Sequence, residues 1–332
     1  MKSITLLIAL LTGLGVAQAQ KRQNVYFLKS NGKHLSTKDS ADYIRVIQEP
    51  DSGTTDFILL EQYVNGNQKA RGLVSQFEPV LVYEGQFLRY SKSGKKESLI
   101  TYVKGKPVAK GYFFFENGKV NKIVDYDSVS SALPVSPAAL PTFEMVPYRL
   151  DYYADSLGTV MVAEGKGHVK QHKKWGTEEV IEEGDYVGGL KDGLWTETNA
   201  AGTYWIKEKF LKGKFLSGES FKDGNTYIYA LENEFPVFKG GMDAFYSYLS
   251  RSVRYPADAQ RAGISGRVFL SFIVEKNGTL SDIKVDRSVS PSIDEEAVRV
   301  LRRSPAWIPG KQHGIPVRVK YNIPISFSLN RF

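Results

Sequence analysis

The chain has 332 residues, 42% of them hydrophobic, no cysteine and a formal net charge of +8. That length accommodates two domains or one domain beside a repeat array, and the apolar fraction excludes wholesale disorder. The lack of cysteine excludes a disulfide framework, thiolate metal sites, a cysteine nucleophile and a lipidated N-terminal cysteine.

The chain opens MKSITLLIALLTGLGVAQAQ, with Lys2, an apolar run from Ile4 to Val16, and Ala17-Gln18-Ala19. The run is shorter than the roughly 20 residues of a membrane span, and A-x-A is a cleavage pattern. An export signal over 1–19 is therefore expected, leaving Gln20 as the mature start; an uncleaved inner-membrane anchor is the competing reading. An exported chain without disulfides points to the periplasm. Residues 235–332 hold 15 Lys and Arg against 8 Asp and Glu, while the rest of the mature chain carries 28 of each sign. The basic field thus belongs to the C-terminal part, where it can steer an acidic partner. No basic-aromatic motif accompanies it, which argues against nucleic acid.

From residue 20 to about 230 come short β-type runs rich in Tyr and Phe, punctuated by Gly. One motif recurs as YVNGNQKARG (63–72), YVKGKPVAKG (102–111), YVGGLKDG (186–193) and FLKGKFLSG (210–218). Each has an aromatic, an aliphatic, any residue and Gly, then a second Gly seven to nine positions beyond the aromatic. KSGK (92–95), ENGK (116–119) and KDGN (222–225) are hairpin-turn signals between them. The pattern predicts a mainly β region of hairpin repeats over 20–129 and 148–230, each unit burying its aromatic face against its neighbours. Residues 130–147, with Pro134, Pro137, Pro141 and Pro147, read as a linker or as a long loop within one array.

The aromatic rows Tyr112–Phe115 and Tyr227/Tyr229 read as strand packing rather than as a ligand platform. His168 and His172 stand four apart in GKGHVKQHKKWG, a basic stretch with no apolar helix face. They fall short of the three or four ligands of a zinc site, so no metal or cofactor is expected. With His34 and His313 as the remaining histidines, no nucleophile–base constellation forms, and the chain does not read as an enzyme.

From Phe235 the period changes. Met242, Phe245, Leu249 and Val253 fall at helical spacing, and Pro256 stands at the first position of a short helix that Gly263 ends. Val268, Leu270, Phe272 and Val274 alternate, Asn277-Gly278 turns the chain, and Ile283 and Val285 alternate on the return, which predicts a hairpin. Ile293, Ala297, Val300 and Leu301 form one apolar stripe of a further helix. Around it Asp294, Glu295 and Glu296 meet Arg299, Arg302 and Arg303, which could pass for acid/base machinery. Ordinary helix chemistry accounts for them. Ser292 and Glu295 have capping-box spacing, Ser290-Pro291 offers an alternative start, Arg299 follows Glu295 by four, and Arg302/Arg303 suit the C-terminal end. Trp307 is expected to close the core, and Pro309-Gly310 to turn the chain.

The last segment alternates throughout: Ile315, Val317, Val319, Tyr321, Ile323, Ile325, Phe327 and Leu329 on one side, Arg318, Lys320, Asn322, Ser326 and Ser328 on the other. It reads as one long strand with a buried face, and Pro324 points to a sheet edge or a bulge, so an edge strand is expected. The charges at Arg318 and Lys320 could protect that edge from strand recruitment, or the edge could be a site where a peptide adds as a strand.

FPVFKGG (235–241), YPADAQRAGISGRV (255–268), FIVEKNG (272–278), IDEEAVRVL (293–301), PAWIPGKQHGIPVRVKY (305–321) and IPISFSL (323–329) resemble the TonB C-terminal domain of Bacteroidetes-type energy transducers. The upstream region resembles MORN-like repeats. The first resemblance implies a compact α+β domain over 235–332, with a three-stranded sheet and two helices. It also implies binding of the TonB box of outer-membrane receptors that import siderophores, vitamins or glycans. The receptor peptide would pair with the final strand, through Val317, Arg318, Val319, Lys320, Tyr321, Asn322, Ile323, Ile325, Ser326 and Phe327. The family's motor partner is the ExbB/ExbD complex of the inner membrane. Coupling to it needs a retained membrane helix and a Pro/Lys/Glu-rich arm, and here a signal-type segment and hairpin repeats stand in those places. Two other readings use the same features: a homodimer formed through the edge, and a periplasmic scaffold whose repeats bind a cell-envelope partner without motor coupling.

Overall fold

The computed structural model describes residues 22–127, 147–175 and 178–329. The signal-type segment at 1–19 lies outside the described residues, as does the proline-rich stretch apart from Pro147. The chain divides after Val160 into two compact units.

In the first unit the strands are β1 (Gln23–Leu28), β2 (His34–Leu35), β3 (Tyr43–Gln48), β4 (Phe57–Tyr63) and β5 (Gln68–Gln76). There follow β6 (Val82–Tyr90), β7 (Lys96–Val103), β8 (Lys106–Phe114), β9 (Val120–Asp125) and β10 (Arg149–Ala154). β1 pairs with β2 and β3, and from β3 onward each strand pairs antiparallel with the next as far as β10. One face collects the apolar side chains, with Leu59, Ala70, Val74 and Val124 fully buried. Glu61 sits among them at 5% exposure, held by Arg45 at 2.7 Å and by Lys69. Two cations offset the desolvation of one acid, and losing both would leave its charge buried without a partner.

At the division lies β11 (Val160–Ala163), and the second unit goes on with β12 (Lys166–Trp175), β13 (Glu178–Val187) and β14 (Leu190–Asn199). It continues with β15 (Tyr204–Leu211), β16 (Lys214–Lys222) and β17 (Asn225–Tyr229), again pairing in sequence order.

The four copies of the sequence motif all lie across hairpin turns: β4–β5, β7–β8, β13–β14 and β15–β16. The first glycine makes the turn. Gly105 and Gly213, for instance, have φ of 75° and 78°, which a side chain would strain. The second glycine does something different. A Cβ on Gly72 would stand 2.2 Å from the Phe87 ring, one on Gly111 2.9 Å from Tyr126, and one on Gly218 2.1 Å from Tyr229. These glycines are bare so that an aromatic ring from farther along the meander can lie flat over the strand. YVGGLKDG departs from this: space around Gly193 is open, and Gly184, upstream of the motif, takes the ring of Trp195 instead. Trp195 also donates its indole N–H to the Asp185 carbonyl at 3.0 Å, which fixes the ring over that glycine.

The C-terminal part of the second unit contains β18 (Asn233–Glu234), α1 (Gly241–Ser252), α2 (Ala257–Arg261), β19 (Gly266–Val274) and β20 (Leu280–Arg287). After these come α3 (Pro291–Arg302), β21 (Lys311–Gln312), β22 (Ile315–Pro316) and β23 (Val319–Phe327). β20, β19 and β23 form a three-stranded antiparallel sheet, and β18, β21 and β22 a second, smaller one. The family resemblance implied two helices; α2 is a third, five residues long, with Pro256 as its N-cap rather than its first residue. Phe245, Leu270, Phe272, Ile293 and Leu301 are wholly buried between helices and sheet, each contributing about 1.5–3 kcal/mol by leaving water. Trp307 closes this core against Phe238, Phe245, Phe272 and Tyr321.

The long alternating strand of the sequence reading is in fact two elements. Ile315 and Pro316 form β22 of the small sheet, Val317 and Arg318 lie outside any strand, and only Val319–Phe327 pairs with β19. Ile315 packs with Val180, Tyr204, Ile206 and Tyr229 of the hairpin repeats, not with the helices. The period-two pattern survives because the chain stays extended while it passes from one sheet to the other.

Gly218→Ala is expected to destabilise the second unit by about 1–3 kcal/mol, because the new methyl must displace the Tyr229 ring. Urea unfolding followed by tryptophan fluorescence reads this, with Ser217→Ala, exposed on the same strand, as the near-neutral control.

Candidate functional site

β19 is the middle strand of its sheet, so β20 and β23 are both edges. The two edges differ. β20 meets β19 with two register shifts, and Asp282 within it has a positive φ of 49°. Bulges of this kind bend a strand and spoil it as a template. β23 instead runs from Val319 opposite Val274 to Phe327 opposite Gly266 without a shift. Among the described residues no strand pairs with its other side. Ile323, Ile325 and Phe327 point into the core, while Lys320, Asn322, Pro324 and Ser326 are exposed. Proline on such a strand is tolerated when its nitrogen faces the free edge, where no ladder bond is lost.

The structure places the sequence-derived site residues in two groups. Val319, Lys320, Tyr321, Asn322, Ile323, Ile325, Ser326 and Phe327 share the edge strand, whereas Val317 and Arg318 precede it. Arg318 is not a free cation. Its guanidinium donates to both oxygens of Glu275 at 2.7 and 2.8 Å and lies 3.9 Å from Asp282. Arg318 accordingly holds the Glu275 carboxyl below the usual carboxylate range, with Ser281 adding a second donor. Lys320 is the exposed cation of the strand.

The acids and arginines of α3 are helix and groove chemistry. The cap is Ser290, whose Oγ accepts the Ile293 N–H at 3.4 Å with Pro291 at the first position, so the alternative start prevails over the Ser292 capping box. Arg299 pairs with Glu296, three residues before it, and not with Glu295. Glu296 also accepts the Arg254 N–H at 2.6 Å. Asp294 accepts from the Ser288 hydroxyl and the Val289 N–H, closing the loop before the helix. Asp294, Glu295, Arg299, Arg302 and Arg303 line an open groove of ≈ 460 Å³ with Val285 and Val298. Asp294 of this groove is committed to the Ser288 and Val289 donors, and Glu296, beside the groove residues on the helix, to Arg299 and the Arg254 N–H. His168 and His172 lie on strand β12, and His168 is bonded to Asp185 at 2.8 Å and Glu183 at 3.2 Å. Among the described residues there is no group of three or more metal-ligating side chains.

Two pieces of this geometry were not read from the sequence. One is the Arg318–Glu275 clamp, and the other is the burial of His313 against Glu208. Both join residues far apart in the chain, and neither leaves a local pattern.

Residues 251–329 match the Gram-negative bacterial TonB protein C-terminal family. The TonB-type segment therefore spans the last helices and the β20–β19–β23 sheet. Two solution structures of the Helicobacter pylori TonB C-terminal domain, comprising residues 179–285 and 194–285 of that protein, are 27% identical to this chain. They align over 27% of this chain and over 82% and 96% of their own lengths, each with a TM-score of 0.22. Among curated proteins none matches this chain. No helix among the described residues is long and apolar enough to cross a membrane.

Arg318→Ala is expected to raise the titration midpoint of Glu275 towards that of an ordinary carboxylate, read from its side-chain carboxyl signal in an NMR pH titration. The folded-state value is depressed, so the clamp contributes fully above the unfolded-state value and is lost as pH falls through the folded one.

Proposed function

We propose that this TonB-like protein binds outer-membrane TonB-dependent receptors by taking an extended receptor peptide onto the free edge of β23. The observation that carries this reading is the contrast between the two edges: nine residues in unbroken register on β23, and two shifts on β20. A regular edge offers backbone N–H and C=O groups at strand spacing, and a peptide that pairs there gains main-chain hydrogen bonds while alternate side chains give specificity. The match of residues 251–329 to the TonB C-terminal family supports the choice of partner. Lys320, with the basic balance of residues 235–332, favours a peptide flanked by acidic residues. Energised import of siderophores, vitamins or glycans would be the process served, in the periplasm, with the chain acting as a binding and transmitting element rather than as a catalyst.

Titrating the full chain with a TonB-box peptide is expected to shift backbone amide signals of residues 319–327 and to leave those of β20 in place. Lys320→Glu should weaken an acidic peptide, with an effect that shrinks as salt rises. Shifts confined to β20, or none at the β23 edge, would overturn the reading.

A further inference from the structure

The tip of the β21–β22 hairpin is a polar group buried inside the repeats. Its two turn residues are His313, with φ 49°, and Gly314, with φ 75°. The His313 Nδ1 lies 2.8 Å from Glu208 Oε1 on β15, and the Tyr229 hydroxyl on β17 donates to the same oxygen at 2.8 Å. The main chain of the tip is held as well. The His313 N–H donates to the Glu232 carbonyl at 2.7 Å, and the Ser220 hydroxyl donates to the His313 carbonyl at 2.7 Å. Side-chain exposure is 16% for His313 and 7% for Glu208. Next to this cluster Ile315 fills the apolar space among Tyr204, Ile206 and Tyr229, and Gly314 approaches Tyr227 and Tyr229 so closely that a Cβ would crowd both.

A buried carboxylate needs donors, and this one has two from different parts of the chain. Burial pushes the Glu208 carboxyl up, but the His313 and Tyr229 donors outweigh it and hold the group below its ordinary value. The neighbouring Glu232 is pushed up by burial and by the charge of Glu208, so the cluster accommodates one carboxylate charge readily and a second poorly.

The hairpin leads into β23 after Val317 and Arg318 alone. Val317 donates to the Gly310 carbonyl at 2.9 Å, and Arg318 is clamped by Glu275. We infer that His313 is a positioning residue for the receptor-binding edge: bonded to the Glu208 carboxylate and in edge-on ring contact with Tyr229, it makes the last repeat hairpins part of the module that presents β23. The proposal deepens the strand-addition reading and rests on it for its functional consequence. It also moves the working boundary of the binding module upstream from residue 235 to β15, because a chain cut at 235 would lose the partners of His313 and Ile315.

The test is a pair of isosteric substitutions in the full chain. Asn and Asp both tolerate the left-handed backbone of position 313 and both carry an atom where Nδ1 stands. His313→Asn keeps a donor towards Glu208, while His313→Asp sets a second carboxylate against it. His313→Asp is expected to speed amide hydrogen exchange at Val317, Val319 and Tyr321 by about tenfold or more, the scale of a buried charge-assisted hydrogen bond. The same variant should weaken TonB-box peptide binding, and His313→Asn should restore both readouts. Equal behaviour of the two variants would show that the contact carries no electrostatic weight and would overturn the proposal. Faster exchange at the tip, residues 311–316, with unchanged exchange in β23 would also overturn it. If the peptide fails to bind the unmodified chain, the receptor reading fails, and the positioning role is then decided by exchange in β23 alone.

Discussion

A meander of antiparallel strands with no helix laid across it has to cover its own aromatic rings. Among the described residues of the first unit there is no helix at all, and the strands β11–β17 likewise pair antiparallel in sequence order. The solution is the bare strand: at Gly72, Gly111, Gly184 and Gly218 the absence of a Cβ lets a ring rest on backbone. Glycine in a strand interior ordinarily weakens it. Here the aromatic supplies the packing that the glycine cannot, and the same contact fixes register. In the second unit Tyr229 lies over Gly218 and donates its hydroxyl to Glu208, the acceptor that His313 also meets.

Acids recur on the buried face for a related reason. Glu61 is satisfied by Arg45 and Lys69, and Glu182 by Lys173, Lys191 and Gln171, within their own hairpins. Glu208 differs because one of its donors comes from 105 residues downstream. A carboxylate that is complete inside the repeats would leave the C-terminal part free to detach. One that takes a donor from His313 ties the two together, and removing that donor leaves the buried Glu208 carboxylate with Tyr229 alone, which costs more than the bond gives.

The turns and the helix stripe were legible in the sequence because they are local. Asn277-Gly278, the turns KSGK, ENGK and KDGN, and the spacing of Ile293, Ala297, Val300 and Leu301 each state their structure within a few residues, and the structure has them there. The edge strand was legible from Pro324 and the alternation around it. Its start was not, because Ile315 and Tyr321 lie on one unbroken period-two pattern although they serve different cores. Periodicity reports that a chain is extended and two-faced, and is silent about which sheet it has joined. The same blindness applied to Arg318, whose exposed-side position suggested a free charge while its partner Glu275 stands 43 residues away across the sheet.

These long-range contacts bear on how an open edge is tolerated. An unpaired strand of nine residues invites any extended chain to pair with it, and proteins usually respond by bending, charging or covering it. β20 is bent by its shifts, but β23 is left regular along its full length. What is controlled instead is the approach to it. The Arg318–Glu275 clamp and the buried hairpin tip fix the backbone immediately before Val319, so the edge begins at a defined point and cannot slip in register against β19. Pro324, which has no N–H, stands near the middle of the strand, and Lys320 marks one end with charge. A peptide that added to this edge would meet the proline and the charge at set positions, which would discriminate among extended chains in a way that a uniform edge could not.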